Sequence, residues 1–207
     1  MSLHKSQEHG DATVQDGPDQ TVSGQKQEQD RPVRLAAELW DWVKSISIAL
    51  VVVILLNLYV FNLSTVKGHS MEPTLQEKEW LFVNKLVYVV GHPKRGDVVI
   101  LKDPDMVGTD RQYLVKRVVA LPGDRVEIRT GKLYVNGAAV QEPYTDIRIE
   151  DGDRGPFVVE TGRYFVMGDN RHQGASKDSR IFGSVESGMI QGRADLILWP
   201  FGQLGTL

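Results

Sequence analysis

The sequence predicts a mainly β fold: an antiparallel, barrel-like domain carried behind one N-terminal transmembrane helix. Three observations predict it. Residues 46–61 form a run of sixteen in which only Ser47 and Asn57 are polar. Beyond residue 75, short β-branched and aromatic runs alternate with Gly, Pro and Asn turns. Outside the apolar run no helical periodicity exceeds two turns, so the crossover helices of a parallel sheet are missing.

Residues 1–34 come first and are expected to be a disordered cytoplasmic tail. They are rich in Gln, Asp, Glu, Lys, Ser and Gly, and too few large apolar groups are present to offset the entropy of ordering. Residues 35–63 are expected to hold a juxtamembrane segment and the membrane helix. Leu-Ala-Ala-Glu-Leu-Trp-Asp-Trp-Val at 35–43 favours helix and carries tryptophans suited to a headgroup region. Carried to Leu63, the apolar helix spans 18 residues, roughly 27 Å, enough for a thin bilayer. Val51-Val52-Val53-Ile54-Leu55-Leu56 offers no polar face, which argues against a buried helix of a soluble core. A cleaved secretion signal is disfavoured because residues 62–67 offer no small-x-small site. Arg31, Arg34 and Lys44 precede the run and only Lys67 follows closely, a bias that predicts a cytoplasmic N-terminus and a single pass through the cell membrane. Residues 64–207 then form the extracytoplasmic domain.

Within that domain the strand candidates are 80–85, 97–101, 113–120, 126–128, 132–135, 164–167 and 195–199. Arg129-Thr130-Gly131 reads as a hairpin turn and Asn136-Gly137 as the next turn. Residues 142–162 are polar and are expected to be a surface excursion; Asp151-Gly152-Asp153 lacks the later acidic positions of a calcium-binding EF-hand loop. Leu75, Trp80, Leu81 and Phe82 are candidates for a lipid-facing surface, or for strand core at the alternating positions.

Composition removes several classes of function. The 207 residues carry a net charge of −3, with 5 basic and 8 acidic groups in 1–44 and 19 of each in 45–207, so no basic surface for nucleic acid is expected. No cysteine is present, which excludes disulfides, c-type haem and thiol catalysis. The five histidines lack metal spacing and no P-loop occurs, so no metal or other cofactor is expected.

Two residues carry the chemistry. Gly68-His69-Ser70-Met71-Glu72-Pro73-Thr74-Leu75 follows the apolar run by seven residues and reads as a turn, with Gly68 permitting unusual backbone angles and Pro73 stiffening the exit. Ser70 is its candidate nucleophile, although such a segment also fits an ordinary loop. In Tyr113-Leu114-Val115-Lys116-Arg117-Val118-Val119-Ala120, alternation puts Leu114, Lys116 and Val118 on one face and Tyr113, Val115, Arg117 and Val119 on the other. One of the two basic residues therefore competes with an apolar environment. Lys116 either snorkels from an edge strand or is buried, in which case it loses its proton readily and can act as a base. A serine and a lysine joined by the fold would hydrolyse a peptide bond as a Ser–Lys dyad. A third cluster, Met167-Gly168-Asp169-Asn170-Arg171 with Ser176-Lys177-Asp178-Ser179-Arg180, is a polar turn or a support of carboxylate–guanidinium pairs. A carboxylate directly on a lysine base would raise its pKa, so Asp178 is assigned to Arg180.

Together these motifs resemble the bacterial type I signal peptidases (leader peptidases) of the short, single-anchor kind found in Gram-positive organisms. Ser70-Met71-Glu72-Pro73-Thr74-Leu75 matches the family's serine motif. Lys116 through Asp124 matches its lysine motif, and Gly168-Asp169-Asn170-Arg171 with Ser176, Asp178, Ser179 and Arg180 matches its third region. The resemblance implies Ser70 as nucleophile and Lys116 as general base, with the Ser70 amide at the oxyanion site. It also implies that Ser176 orients the lysine, while Gly68, Asp169, Asn170, Arg171, Asp178 and Arg180 give structural support. Gly68 stands where some relatives place a second oxyanion hydroxyl, and Lys177 where many have an apolar residue. The implied activity is removal of signal peptides from exported preproteins after Ala-x-Ala-like sites, at a phospholipid membrane and near the secretion translocon. The alternatives are a tethered Ser–Lys peptidase for other exported proteins and a non-enzymatic anchored β-domain.

Overall fold

A computed structural model of the chain describes residues 30–106 and 112–207, so most of the tail expected over 1–34 lies outside the described residues. The described residues fall into two compact units, parted between Leu50 and Val51. Helix α1 runs Asp30–Leu55, beginning inside the expected tail. Pro32 is tolerated there because the amide it lacks would be unpaired in a first helical turn anyway. The window Ala37–Val60, 24 residues with mean hydropathy 2.3, is long and apolar enough to cross a membrane, and none of it is buried.

The helix expected to reach Leu63 stops sooner. A π-helical turn occupies Leu56–Val60, and Phe61–Thr65 is strand β1. Those five residues exchange helix for a ladder with β2 (Trp80–Asn84), in register from Phe61 opposite Asn84 to Thr65 opposite Trp80. Phe61 stacks on Phe82 with ring centroids 5.4 Å apart, a tertiary contact that helix periodicity does not reveal. The Lys85 ammonium donates to the carbonyls of Asn57 and Leu58, at 3.0 and 3.2 Å, satisfying the end of the helical segment.

The remaining elements are α2 (Val87–Val90), β3 (Val98–Lys102), β4 (Tyr113–Ala120), β5 (Arg125–Arg129), β6 (Lys132–Val135) and β7 (Ala138–Ala139). They are followed by β8 (Arg154–Val158), β9 (Arg163–Met167), α3 (Ser179–Phe182), β10 (Val185–Glu186), β11 (Ile190–Trp199) and β12 (Gly205–Thr206). Every pairing is antiparallel. The large sheet is ordered β1-β2-β11-β3-β4-β9-β10, with β12 beside β11, and the small sheet β7-β6-β5-β8. The fold is thus mainly β, a curled antiparallel sheet, with helices beyond α1 no longer than one turn. β11 is twice as long as the strand read at 195–199, because Gly192 and alternating polar residues hide its first half from a β-propensity reading.

The 142–162 excursion also differs from expectation. It contains β8, largely exposed yet paired with β5, and it contributes buried Ile149 and Val159 to the core under the small sheet. Leu75 and Leu81 are fully buried in the core, whereas Phe82 is half-buried and Trp80 exposed. In β4 the alternation fails from Lys116 onward. Lys116, Arg117, Val118, Val119 and Ala120 are all buried, because β4 is flanked by β3 and β9 and covered on both faces.

Candidate active site

The turn bearing Ser70 is held by its apolar neighbours. Met71 and Leu75 are buried with Val66, Leu81, Val83, Val98 and Ile100, and the Leu75 amide donates to the Met71 carbonyl at 3.0 Å. Ser70, between this core and the surface, is therefore presented at the rim of the sheet. From the other side, the Asn170 amide donates to the Ser70 carbonyl at 3.1 Å and its side chain to the His69 carbonyl at 3.0 Å. The second and third motifs, 46 and 100 residues downstream, thus close on the first.

Lys116 lies at the point where β4 gains its second neighbour. Its backbone is paired with Val99 of β3, and pairing with β9 begins at Arg117. Only 2% of the residue is exposed. Its Nζ lies 2.6 Å from Ser70 Oγ and donates to the Val115 carbonyl at 2.8 Å. Burial, aided by the Arg180 charge and opposed by Asp178, Asp169 and Asp103, brings the amine down from its ordinary 10.5 to about 8.

Each supporting residue named from sequence has a definite contact. The Arg117 guanidinium grips Asp169 with two donors, 2.9 Å to Oδ1 and 2.7 Å to Oδ2, and Thr74 adds a hydroxyl at 2.6 Å. Arg117 also lies over the Tyr144 ring, 4.1 Å from its centroid. Arg171, fully buried, reaches the Gly168 carbonyl and both carboxylate oxygens of Glu142. Asp178 accepts from Arg180 at 2.8 and 2.7 Å and from the Gly168 amide at 3.0 Å. Burial opposes ionisation of Asp178, yet the guanidinium holds its carboxyl below the usual range. Arg180 is bound in turn by Asp151. The Ser176 hydroxyl donates to Asp178 at 2.8 Å. Gly68 has φ +80° with open space where a side chain would start.

Breaking the Arg117–Asp169 pair is expected to cost stability. Asp169→Ala leaves a buried guanidinium without its counter-charge, a loss of about 3–5 kcal/mol in urea unfolding of the detergent-solubilised protein. A loss near that of an exposed pair, below about 1 kcal/mol, would show that the pair is not structural.

The motifs held Gly168 and Thr74 without a role for either, and Glu142, Asp103 and Asp151 lay outside them. Gly168 matters by its lack of a side chain: a Cβ there would stand 2.3 Å from Ser176 Oγ and 2.3 Å from the Ser70 carbonyl oxygen. The others are polar residues whose partners lie 29 to 95 positions away, so nothing local shows what each one binds.

Beside Ser70 and Lys116 lies a cleft of about 580 Å³, walled by residues 63–68 on one side and 112–116 on the other, with Ile100 and Met71 beneath. Both walls are strand edges. β1 ends the sheet, and β4 at Tyr113–Lys116 is paired only toward β3. A serine hydroxyl and a buried amine in contact, at the end of a groove able to take an extended chain, are the parts acyl transfer from a peptide needs.

The family model described as signal peptidase, peptidase S26, matches residues 39–199. A signal peptidase I of Bacillus licheniformis is 39% identical over 176 residues, 80% of this chain and 91% of that protein. Signal peptidase IB of Staphylococcus aureus is 35% identical over 183 residues, 80% of this chain and 92% of its own length. A crystal structure of a signal peptidase I from Enterococcus faecalis V583 aligns at 29% identity with a TM-score of 0.41, covering 50% of this chain and 97% of that one. With the family model spanning the apolar helix through β11, the chain belongs to the signal peptidase family, peptidase S26, as a serine endopeptidase of the signal peptidase I kind.

Proposed function

We propose that the enzyme removes signal peptides from exported preproteins with Ser70 as nucleophile and Lys116 as general base. One observation carries the reading: the 2.6 Å approach of Lys116 Nζ to Ser70 Oγ, with that amine buried. Neutral Lys116 takes the Ser70 hydroxyl proton as Oγ attacks the scissile carbonyl. The resulting ammonium returns that proton to the leaving amine as the C–N bond breaks, leaving an ester on Ser70. Water, deprotonated by the same amine, then cleaves the ester and frees Ser70. The oxyanion is assigned to the Ser70 amide, with no side-chain hydroxyl at Gly68 to assist.

The substrate enters the cleft as an extended strand between the edges of residues 63–68 and 112–116. An Ala-x-Ala-like preference follows from small side chains facing Ile100, Leu114 and Met71, and each added methylene is discriminated by about 1–3 kcal/mol. The single apolar span places enzyme and scissile bond at the same membrane depth. Its basic N-terminal flank supports a cytoplasmic tail, an anchor, and a catalytic domain from about residue 64 outside, near the translocon. Protease added to wall-stripped cells should digest that domain and spare an N-terminal tag.

The test is to incubate the full-length protein in lipid with a preprotein bearing an Ala-x-Ala site and to locate the cut by product mass. A cut after the second Ala, lost in Ser70→Ala, is the expected result. A cut elsewhere would favour a tethered peptidase for other exported proteins.

Gly68 offers a finer check. Its positive φ disfavours any side chain, and most strongly a β-branched one, but the space around it is open. Gly68→Ser is expected to retain cleavage and Gly68→Val to lose most of it. Equal kcat/KM for Gly68→Val and the unaltered enzyme would contradict a restrictive turn.

A further inference from the structure

The apolar span enters the β domain without a loop. The π-helical turn ends at Val60, β1 starts at Phe61, and the residues from Leu63 onward already wall the cleft. Its five residues make β1 roughly 17 Å long at about 3.3 Å each, and Val66 and the turn bearing Ser70 follow directly. β1 is itself held in register with β2, and Phe61 stacks on Phe82. The distance of Ser70 from the end of the span is therefore set by whether the joint at 56–60 is rigid.

That joint is where the chain could bend. A helix that stops leaves its last carbonyls without amide partners, and at a membrane boundary such groups find less water. The Phe61 amide takes the Leu56 carbonyl. One residue takes three of those that follow. Lys85, next after β2, gives its ammonium to the carbonyls of Asn57 and Leu58, at 3.0 and 3.2 Å. Its backbone amide donates to the Val60 carbonyl at 2.9 Å. A cation at this place also suits the negative end of the helix dipole. The contacts join residues 25 to 28 positions apart, so they tie the end of the span to β2 rather than closing the helix on itself.

We propose that Lys85 is a positioning residue: it fastens the end of the apolar span to β2, so that β1 carries the cleft and Ser70 at a fixed distance from the membrane. A substrate whose signal segment lies in the same bilayer then meets Ser70 at one depth. This rests on the reading of the span as an anchor and of membrane-held preproteins as substrates. Removing the fastening leaves Ser70, Lys116 and the cleft in place and frees only their placement over the bilayer. Its loss should thus be felt by a membrane-held substrate and not by one that arrives from water.

The experiment uses the full-length enzyme in lipid vesicles and two substrates with the same Ala-x-Ala site: a preprotein inserted in those vesicles and a short water-soluble peptide. Lys85→Met keeps the side chain's apolar stem and removes its donors, whereas Lys85→Arg keeps donors for both carbonyls. Lys85→Met should lower kcat/KM on the preprotein by about threefold or more, as a looser tether dilutes the effective concentration of the site. It should leave the peptide unchanged, and Lys85→Arg should leave both unchanged. A second readout needs no turnover. The chain has no cysteine, so Val53→Cys and Ser187→Cys admit two spin labels, one on the span and one on the β domain. The distribution of distances between them should broaden with Lys85→Met and stay narrow with Lys85→Arg. Equal losses on both substrates would make Lys85 merely structural and overturn the proposal; no loss on either, or no broadening, would overturn it as well. If the unaltered enzyme cuts the peptide and not the preprotein while the distances still respond to Lys85, the fastening stands and the substrate reading fails. If Lys85→Met does not fold, two glycines inserted between Val60 and Phe61 decide it. Broadened distances with a loss confined to the preprotein support the proposal, and any other result overturns it.

Discussion

Replacing Lys116 with methionine is expected to abolish preprotein cleavage and, at neutral pH, to make the protein harder to unfold. The first effect follows from the proposed role of Lys116, 2.6 Å from Ser70, as proton acceptor; a positioned general base is worth about 10²–10⁴-fold. Lys116→Arg should fail as well, because a guanidinium keeps its proton throughout the working range. The second effect follows from the depressed pKa. Folded Lys116 titrates at about 8 and the free side chain at 10.5, so between those values the unfolded chain binds more protons and resistance to unfolding rises with pH. Below pH 8 both states are protonated and the fold carries the full penalty, on the order of 3 kcal/mol. Above 10.5 both are neutral and the penalty is gone. The advantage of Lys116→Met should thus be largest below pH 8 and shrink as pH rises from 8 through 10.5. Urea titrations of both proteins at several pH values measure it. A pH-independent difference, or an active Lys116→Arg, would make the lysine structural rather than a base. In the unaltered enzyme the acidic limb of kcat/KM should fall near pH 8, well under the range of free lysine.

Gly168→Ala should cost nearly as much activity without touching a titratable group. The added methyl carbon would lie 2.3 Å from both the Ser70 carbonyl oxygen and Ser176 Oγ, and 2.7 Å from Ser176 Cβ. Reaching normal contact requires one of these segments to retreat by roughly 1 Å. The Ser70 carbonyl also accepts the Asn170 amide, so the retreat misaligns Ser70 with the buried amine. Misplacement of that size can cost about 10²-fold in rate. The variant should fall in kcat rather than rise in KM, because the cleft walls at 63–68 and 112–116 are not displaced. Gly188→Ala is the control: nothing lies within 4 Å of its added carbon, and it should be silent. Equal kcat for the two variants would show that the close approach of Gly168 to Ser70 has no part in catalysis.

The strands at 113–120 and 132–135 were legible to the residue because each is bounded by turn chemistry and rich in β-branched or aromatic side chains. Phe61–Thr65 was not, because its apolar character continues that of the helix before it, and only pairing with β2 makes it a strand. Arg154–Val158 was hidden in a polar stretch for a related reason: its ladder partners in β5 lie 26 to 33 positions upstream, and its own side chains stay mostly exposed.

By itself the sequence determined the apolar span, the β class of the domain, the order of the three motifs and the identities of Ser70 and Lys116 as the residues to examine. These follow from local physics: hydropathy over one segment, alternation within a strand, turn residues at fixed offsets. Only the tertiary structure decided that Lys116 is buried rather than snorkelling, since its exposure depends on β9 closing over β4. It decided equally that Ser176 bonds Asp178, that Lys177 spans to Asp103, and that Gly168 leaves room for Ser70. Those facts are distances between chain segments far apart in sequence, set by packing and strand register, and no property of either segment alone contains them.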